Sequence, residues 1–562
     1  MALVSKEAPE KSEPRLARRL AAFLSRRGAL LVALGVSGFA FLLYLRTLAP
    51  TVLYYERPDL IDAAMLQVHS YILGITHPTG YPTYTMLAHF FTYLPFGDPA
   101  YRVNLASAVF GAVAVFLLFF AGLRLSGRIW AAAIGSLAFA VGNTFWSQAI
   151  IAEVYTLNAV FVSLVVLVLL IWRDTREDRH LLAAAFLMGL SLTNHLTSGL
   201  LLPTAALFVF AVDRRKLLEW RLVFGGAGLF ILGLTPYLYL PVRASMGPPM
   251  GEADPSSFVE FWELVSSREV GIPFGTFGPG EILSRFASFW GYLQDEFHAG
   301  LLLVAAVGAL AMLLRDRAGA LLLGMPFLGW LIYTIEYGIY DYFIYFIPCY
   351  LMLALFIAVG AGVILDKAER LAARSPLLLR TTAPLLIAIP MMYLAVSDIG
   401  HDYPLVDRSQ DIKGRRIVEA VAEKTAPNAT ILHHRSPLWY MILVEKRRSD
   451  LTLVSPWYPS HNPQRVWSAS GASANEYPTA KHIGSGGVAD ARVATRKGPV
   501  YALGKSVDLC NFQNTGFSVI QVEGDLLYEI VPPGRAPYTS PEEQQGTVVE
   551  PGRTTNETAS CG

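Results

Sequence analysis

Charge is what this sequence has least of: 16% of its 562 residues are Asp, Glu, Lys or Arg, against 53% hydrophobic residues. With a mean hydropathy of +0.42, that balance excludes a water-soluble body and puts most of the chain in lipid. Neither sign of charge is in excess, and a net charge of +1 points to no nucleic-acid partner and no acidic tail. Cysteine is scarce as well. Cys349, Cys510 and Cys561 lack CxxC spacing and are too few for a disulfide scaffold or a zinc cluster; Cys510 and Cys561 are the pair that would bridge if their region lies outside the cell. P-loop, GxGxxG, HExxH and GxSxG patterns are missing, which removes soluble nucleotide chemistry, zinc peptidases and serine hydrolases and weakens ATP-driven transport. The chain also lacks an internal repeat, which counts against a transporter or lipid flippase built from inverted halves.

What is present is a series of long apolar runs. A crossing needs roughly 20 apolar residues, because every backbone polar group in hydrocarbon must be bonded within its own helix. The stretches that qualify, some with help from their flanks, are Gly28–Leu48, Val103–Leu123, Ile129–Trp146, Val154–Trp172, Leu181–Asn194, Thr197–Val212, Leu222–Leu240, Leu301–Leu314, Ala318–Tyr333, Phe343–Leu365 and Thr382–Val396. The expected fold is therefore mainly α: a polytopic membrane bundle of about eleven transmembrane helices. Lys and Arg set its orientation. The amino-terminal segment 1–27 carries Lys6, Lys11, Arg15, Arg18, Arg19, Arg26 and Arg27 and is placed in the cytoplasm. It also resembles a signal peptide, but its apolar run is long for one, and a retained helix is favoured. The alternating loops at Arg124 and Arg128, 173–179, 213–221, 315–317 and 366–380 are then also inside, and every one is basic. Counting Tyr84–Phe96 as a span would put them outside, so that stretch is laid along the outer surface.

On this topology the ionisable groups that do not serve orientation collect on the non-cytoplasmic side, in a plasma membrane or its equivalent. Such a cluster at membrane depth marks a site by default. The loop 50–102 is the richest. From Pro58, a natural first helical residue, Leu60, Ile61, Ala64 and Val68 share one face while Asp59, Asp62, Leu66 and His69 share the other, as in a helix lying at the interface. Glu56 and Asp59 stand at its start, either as charges that suit the helix dipole or as a general base for an acceptor hydroxyl. His77-Pro78-Thr79-Gly80-Tyr81-Pro82 is a rigid turn, a surface feature or a mount for His77. Glu153 lies among apolar and aromatic residues and needs a partner there. Arg243, after Tyr237-Leu238-Tyr239-Leu240-Pro241, either snorkels or grips a phosphate.

Leu48 to Val52, the His77–Pro82 turn, Leu94 to Asn104, Phe145 to Asn158, Gly189 to His195 and Tyr237 to Arg243 together resemble one family. It is a polytopic family long labelled a domain of unknown function, whose animal members are transmembrane protein O-mannosyltransferases. The likeness runs in order from about Leu48 to Arg243 and weakens after that. It implies a GT-C architecture, in which the first external loop carries acid residues beside a groove for a polyprenyl-phosphate sugar. The family usually reads Asp-Ser-Gly-Glu where this chain has Glu56-Arg57-Pro58-Asp59, so both acidic positions are kept with the acids exchanged. Asp62 stands close enough to compensate.

The mechanism this implies is inversion at the anomeric carbon, with Glu56 or Asp59 taking the acceptor's proton and Arg243, with His77 or His195, stabilising the departing phosphate. Glu153 would orient one of these groups or the acceptor. Asp62, Tyr81, Asn194 and Tyr155 would contact substrate. No cofactor is required by this chemistry; divalent metal dependence stays open, and no ligand set for one is visible. The partners expected are a polyprenyl-phosphate sugar donor, with mannose taken from the relatives alone, the bilayer, and a protein Ser or Thr acceptor. A lipid or cell-wall glycan acceptor is the alternative, and an inactive scaffold is the reading that the altered acidic motif favours.

After Ser397 the composition changes to that of a soluble domain. Arg416–Lys424 and Leu438–Lys446 read as helices, Thr430–His433 and Leu451–Ser455 as strands, and Val519–Val522 with Leu526–Val531 as a hairpin. The division expected is a membrane domain over 28–396, a small extracytoplasmic α/β domain over 397–532 and a disordered tail over 533–562. His433, His434 and His461 are weak evidence for a metal.

Overall fold

The computed structural model describes residues 15–54, 62–268, 274–339, 341–374, 376–457, 465–469, 477, 486–504 and 506–538, with backbone alone over 15–26, 377–381 and at 486. Glu56, Pro58, Asp59, His461 and Cys561 lie outside the described residues. Cys510 is disulfide-bonded, and Cys349 is free and buried.

The chain is a mainly helical polytopic membrane protein with a C-terminal domain built on a β-sheet. Among the described residues eight helices are long and apolar enough to cross a membrane, or ten if each of two bent pairs is one span. The pairs are Ile129–Ala140 with Asn143–Ala149, bent by 69°, and Pro279–Glu296 with Ala299–Arg315, bent by 107°. This corrects the expectation of eleven. The run Leu181–Asn194 forms the 15-residue helix Asp178–Leu192, about 22 Å long at 1.5 Å per residue and so too short to count among these by length, although it links Asp178, paired with Lys216 on the face of the basic loops, to Thr193, bonded to Thr83 at the opposite end.

The bundle is organised around Pro99–Ser126, which packs against Arg15–Thr47, Ile129–Ala140 and Tyr155–Thr175, and around the largely buried Ile347–Ala372. Hydrophobicity alone gives no reason for two helices to associate in lipid, so close backbone contact must supply it. Ile347–Ala372 meets Ala299–Arg315 through Gly360 and Gly308: a Cβ on Gly360 would lie 1.9 Å from the Val304 carbonyl oxygen, and one on Gly308 2.0 Å from that of Phe356.

All five basic loops meet on one face of the bundle. Arg124 pairs with Asp174 at 2.6 Å, Arg173 with Asp316 at 2.7 Å, Lys216 with Asp178 at 2.9 Å, and Arg128 with Asp366 at 2.6 Å and Glu369 at 2.5 Å.

The first long loop lies at the opposite end. Its helix Ala63–Ile72 is buried from Ala63 to Ser70, so it does not lie at a lipid interface as the amphipathic pattern suggests. Leu66 and Ala63 face the bundle, while Ala64, Met65 and Val68 pack under the C-terminal domain with Ile417, Leu438 and Tyr440. The apolar stripe meets protein instead of lipid. Pro82–Phe91 is ten residues long, too short to cross.

Among the described residues of the C-terminal domain the helix Lys413–Lys424 and a π-helical turn Tyr440–Val444 accompany six strands: β1 (Thr430–Leu432), β2 (Thr452–Val454), β3 (Val466–Ser468), β4 (Val500–Leu503), β5 (Ser518–Glu523) and β6 (Leu527–Val531). They form one sheet in the order β3-β2-β1-β4-β6-β5, with β2, β1 and β4 parallel and β5–β6 the expected antiparallel hairpin. Arg415 fastens the domain to the first loop through Asp98 at 3.1 Å and Thr51 at 3.2 Å.

Candidate active site

The segments singled out in the sequence converge at that end. The turn at 77–82 packs on Leu240, so closely that a Cβ on Gly80 would lie 2.9 Å from the Leu240 Cδ1 atom, and Gly80 has φ +88°, where glycine alone is unstrained. Thr83 bonds Thr193 through backbone and hydroxyl. The Tyr237 hydroxyl donates to the Leu192 carbonyl at 2.7 Å, and that of Tyr239 to Gly74 at 2.8 Å.

At the centre stands a cluster of opposite charges. Asp62 is the residue just before helix Ala63–Ile72. Arg435, which follows β1, donates from Nη2 to its Oδ1 atom at 2.5 Å, and the ring of His77 lies 3.5 Å from its Oδ2 atom. Glu252 is placed by a backbone bond to Ile75 and by the parallel bridge Ile75–Gly251. Its carboxylate lies 3.1 Å from Arg435 Nη1, 3.3 Å from His69 Nε2 and 3.7 Å from His77 Nδ1. Burial alone would raise the pKa of Glu252, but Arg435 and the two histidines hold it well below the usual carboxylate range. Burial likewise opposes charge on His77, and Asp62 followed by Glu252 overcomes it, leaving its pKa raised. The arrangement is a carboxylate, an imidazole and a second carboxylate in line, with a guanidinium bridging the two acids.

Glu153 is buried beside this cluster, and burial, then the charges of Asp62 and Asp341, push its pKa well up, so it is an acid that holds its proton. Its backbone N–H bonds the Ser107 hydroxyl at 3.1 Å. An aromatic wall adjoins it: the rings of Tyr155, Tyr81 and Tyr345 surround His195 at 5.5, 6.3 and 5.6 Å, and Tyr81 also meets His77 at 5.1 Å. Burial lowers the pKa of His195 to about 4, so it is neutral and bonded to Thr197 at 2.8 Å. Asn194 donates to the Val154 carbonyl at 3.3 Å.

Asp62, His77, Tyr81, Glu153, Tyr155, Asn194 and His195 are thus brought to one end of the bundle, whereas Arg243 faces the helix behind it. Its Nε donates to the Leu73 carbonyl at 2.7 Å and Nη2 to that of Ile72 at 3.3 Å, capping Ala63–Ile72. Sequence reasoning did not single out Glu252, Asp341 or Arg435. The signal for Arg435 was its place just after a strand in a β-α-β pattern, where α/β sheets put their functional loops. Among the described residues no group of three or more His, Cys, Asp or Glu is set to hold a metal ion.

Residues 62–218 match the family described as the protein O-mannosyl-transferase TMEM260 N-terminal domain. The chain is 38% identical to the mouse (Mus musculus) protein O-mannosyl-transferase TMEM260 over 189 residues, which are 33% of this chain and 27% of that protein. It is 25% identical to the corresponding Dictyostelium discoideum protein over 197 residues, 32% of this chain and 24% of that one. The chain therefore spans about a quarter of the length of the curated relatives it matches. Among solved structures it shares its fold with ArnT from Cupriavidus metallidurans, covering 90% of this chain and 98% of that one at 14–15% identity. The TM-score is 0.56 with undecaprenyl phosphate bound and 0.58 in the apo state. The segment 62–218 is thus similar to the N-terminal domain of protein O-mannosyl-transferase TMEM260, and the chain as a whole shares its fold with ArnT.

Proposed function

We propose that this protein moves a sugar from a polyprenyl-phosphate donor to an acceptor hydroxyl on the non-cytoplasmic face of the membrane. The observation that carries the reading is the Asp62–His77–Glu252–Arg435 cluster, set at the opposite end of the bundle from the five basic loops. With those loops and the amino terminus in the cytoplasm, the cluster and the C-terminal domain lie outside, where a lipid-linked sugar presents its head group.

A carboxylate of the first loop, Glu56, Asp59 or Asp62, accepts the proton of the acceptor hydroxyl as that oxygen attacks the anomeric carbon. The bond from sugar to phosphate breaks with inversion, and the phosphate leaves as an anion. His77, charged, offsets that anion; His195, neutral, offers a hydrogen bond; and the Tyr81 and Tyr155 rings stack against sugar or acceptor. Glu153, protonated, donates a hydrogen bond to substrate. Mannose and a protein Ser or Thr are the sugar and acceptor suggested by the curated relatives. A lipid or glycan acceptor is kept as the second reading, because the likeness to those relatives covers only about a third of this chain.

The test is transfer of labelled sugar from polyprenyl-phosphate mannose in membranes containing wild type, Glu56→Gln, Asp59→Asn or Asp62→Asn, with products divided into protein and lipid fractions. Label in protein that one of these substitutions abolishes supports the reading and identifies the base. Label in the lipid fraction alone selects the second acceptor, and no transfer to either fraction by wild type overturns the donor.

A further inference from the structure

The guanidinium in the candidate site comes from the C-terminal domain and not from the bundle. Strand β1 has parallel neighbours on both sides, β2 and β4, so the carboxyl ends of the three strands open together. In α/β sheets such an edge is where ligands are met. From it the segment 433–436 leads to Arg435, which reaches Asp62 of the first loop and Glu252. His433 bonds the Ser436 hydroxyl at 2.8 Å, and the His434 ring rests on Trp457 at 5.4 Å. Burial lowers the pKa of both histidines to about 3, so the charge this segment delivers is that of Arg435.

Arg435 arrives in an acidic place. The carboxylates Asp62, Glu252 and Asp341 act on the site, and an anionic phosphate entering it would be repelled without a cation. A guanidinium presents the same planar fork to carboxylate and to phosphate oxygens, so one can replace the other without moving the side chain far. Resting on the glycosyltransferase reading above, we propose that Arg435 is a ligand of the donor's phosphate supplied by the C-terminal domain, held by Asp62 and Glu252 until the phosphate takes their place. The exchange has a consequence for the order of events. Asp62 loses its guanidinium partner only when donor is bound, and beside His77 it is then free to receive the acceptor's proton.

The experiment is direct binding of undecaprenyl phosphate to the full-length protein in detergent, with undecaprenol and inorganic phosphate as parallel probes. Arg435→Ala should weaken undecaprenyl phosphate binding roughly 10- to 100-fold, the loss of charge-assisted hydrogen bonds, and Arg435→Lys should restore part of it. Undecaprenol binding should not change, and inorganic phosphate should show the same dependence on Arg435 at lower affinity. Asp62→Asn should bind undecaprenyl phosphate more tightly than wild type, because the competing carboxylate is gone; a purely structural contact would not produce that gain. Should Arg435→Ala fail to fold, Arg435→Lys and Asp62→Asn still decide. Folded Arg435 variants that bind as wild type does, or an Asp62→Asn protein that binds more weakly, overturn this inference while leaving the glycosyltransferase reading in place. Wild type that binds undecaprenol and undecaprenyl phosphate equally removes the phosphate-donor reading, and this one with it.

Discussion

Arg435 bonds Asp62 at 2.5 Å although 373 residues separate them in sequence, so the soluble domain and the first membrane loop share one charge network. Glu252 is the most buried carboxylate of that network, with a side chain 4% exposed. Removing one member of a buried ion pair leaves the other charge uncompensated, at a cost of about 3–5 kcal/mol. Glu252→Ala should therefore lower the melting temperature of the purified protein markedly. Glu252→Gln, which keeps the shape and some hydrogen bonds, should fall between it and wild type. Thermal melting of the three proteins in one detergent checks this, and equal melting of all three would mean that the network does not hold the domain.

His77 gives this end of the molecule a pH dependence whose sign is set by its partners. Its folded pKa is raised above the ordinary value of 6.5, by Asp62 and then Glu252 against the opposing effect of burial. A group shifted upward contributes stability that is complete below 6.5 and is lost as pH rises through the folded value. The difference in melting temperature between wild type and His77→Gln should thus be largest near pH 6 and shrink toward pH 9. A difference that does not move with pH would show that the imidazole is not charged in the folded protein.

Much of this was legible in the sequence, and the reasons differ by element. Eight of the expected spans have counterparts in long helices and two more in bent pairs, because an apolar run of sufficient length has few alternatives in lipid. The ion pairs joining the basic loops follow from the same topology, since loops on one side of a bundle are neighbours. In the soluble domain, alternation and turn residues located β1, β2 and the β5–β6 hairpin to within two or three residues. The helix Ala63–Ile72 was expected with one face open to lipid or water, but both its faces are covered, one by residues such as Ile417 and Tyr440 hundreds of positions away. Arg435 and Glu252 were missed for that reason. Arg435 follows a strand and Glu252 sits in no local pattern, but each acquires its meaning from a contact that only the folded chain creates. Arg243 illustrates the converse, a cation in the last turn of the helix Tyr239–Ser245 whose guanidinium is committed to the Leu73 and Ile72 carbonyls.

Gly360 offers a test of the bundle that does not involve the site. Alanine there would put a methyl group 1.9 Å from the Val304 carbonyl oxygen, and backbone cannot yield as a flexible side chain can. The helices Ala299–Arg315 and Ile347–Ala372 would have to separate, and overpacking of this kind costs about 1–3 kcal/mol. Gly360→Ala should melt lower than wild type, and Gly360→Val lower still, with both variants keeping any undecaprenyl phosphate binding at temperatures where they remain folded.

The C-terminal domain contains an ion pair that allows stability and specificity to be separated. Arg465 and Asp490 are both fully buried, with Nη2 to Oδ1 at 2.6 Å and Nη1 to Oδ2 at 2.8 Å. Arg465 also donates to the Ser455 carbonyl at 2.6 Å, so it joins the carboxyl end of β2 to the helix Gly486–Ala494. Desolvation of two charges consumes most of their mutual attraction, and replacing both with apolar groups of similar size is often neutral or stabilising. Asp490→Ala alone should therefore destabilise by about 3–5 kcal/mol, whereas the double variant Arg465→Met, Asp490→Leu should melt close to wild type. Because Ser455 lies 3.4 Å from His434, next to Arg435, loss of the geometry set by Arg465 should reach the site even where stability is kept. The double variant is expected to hold its melting temperature and to bind undecaprenyl phosphate more weakly, and the two measurements made on the same preparation separate the roles.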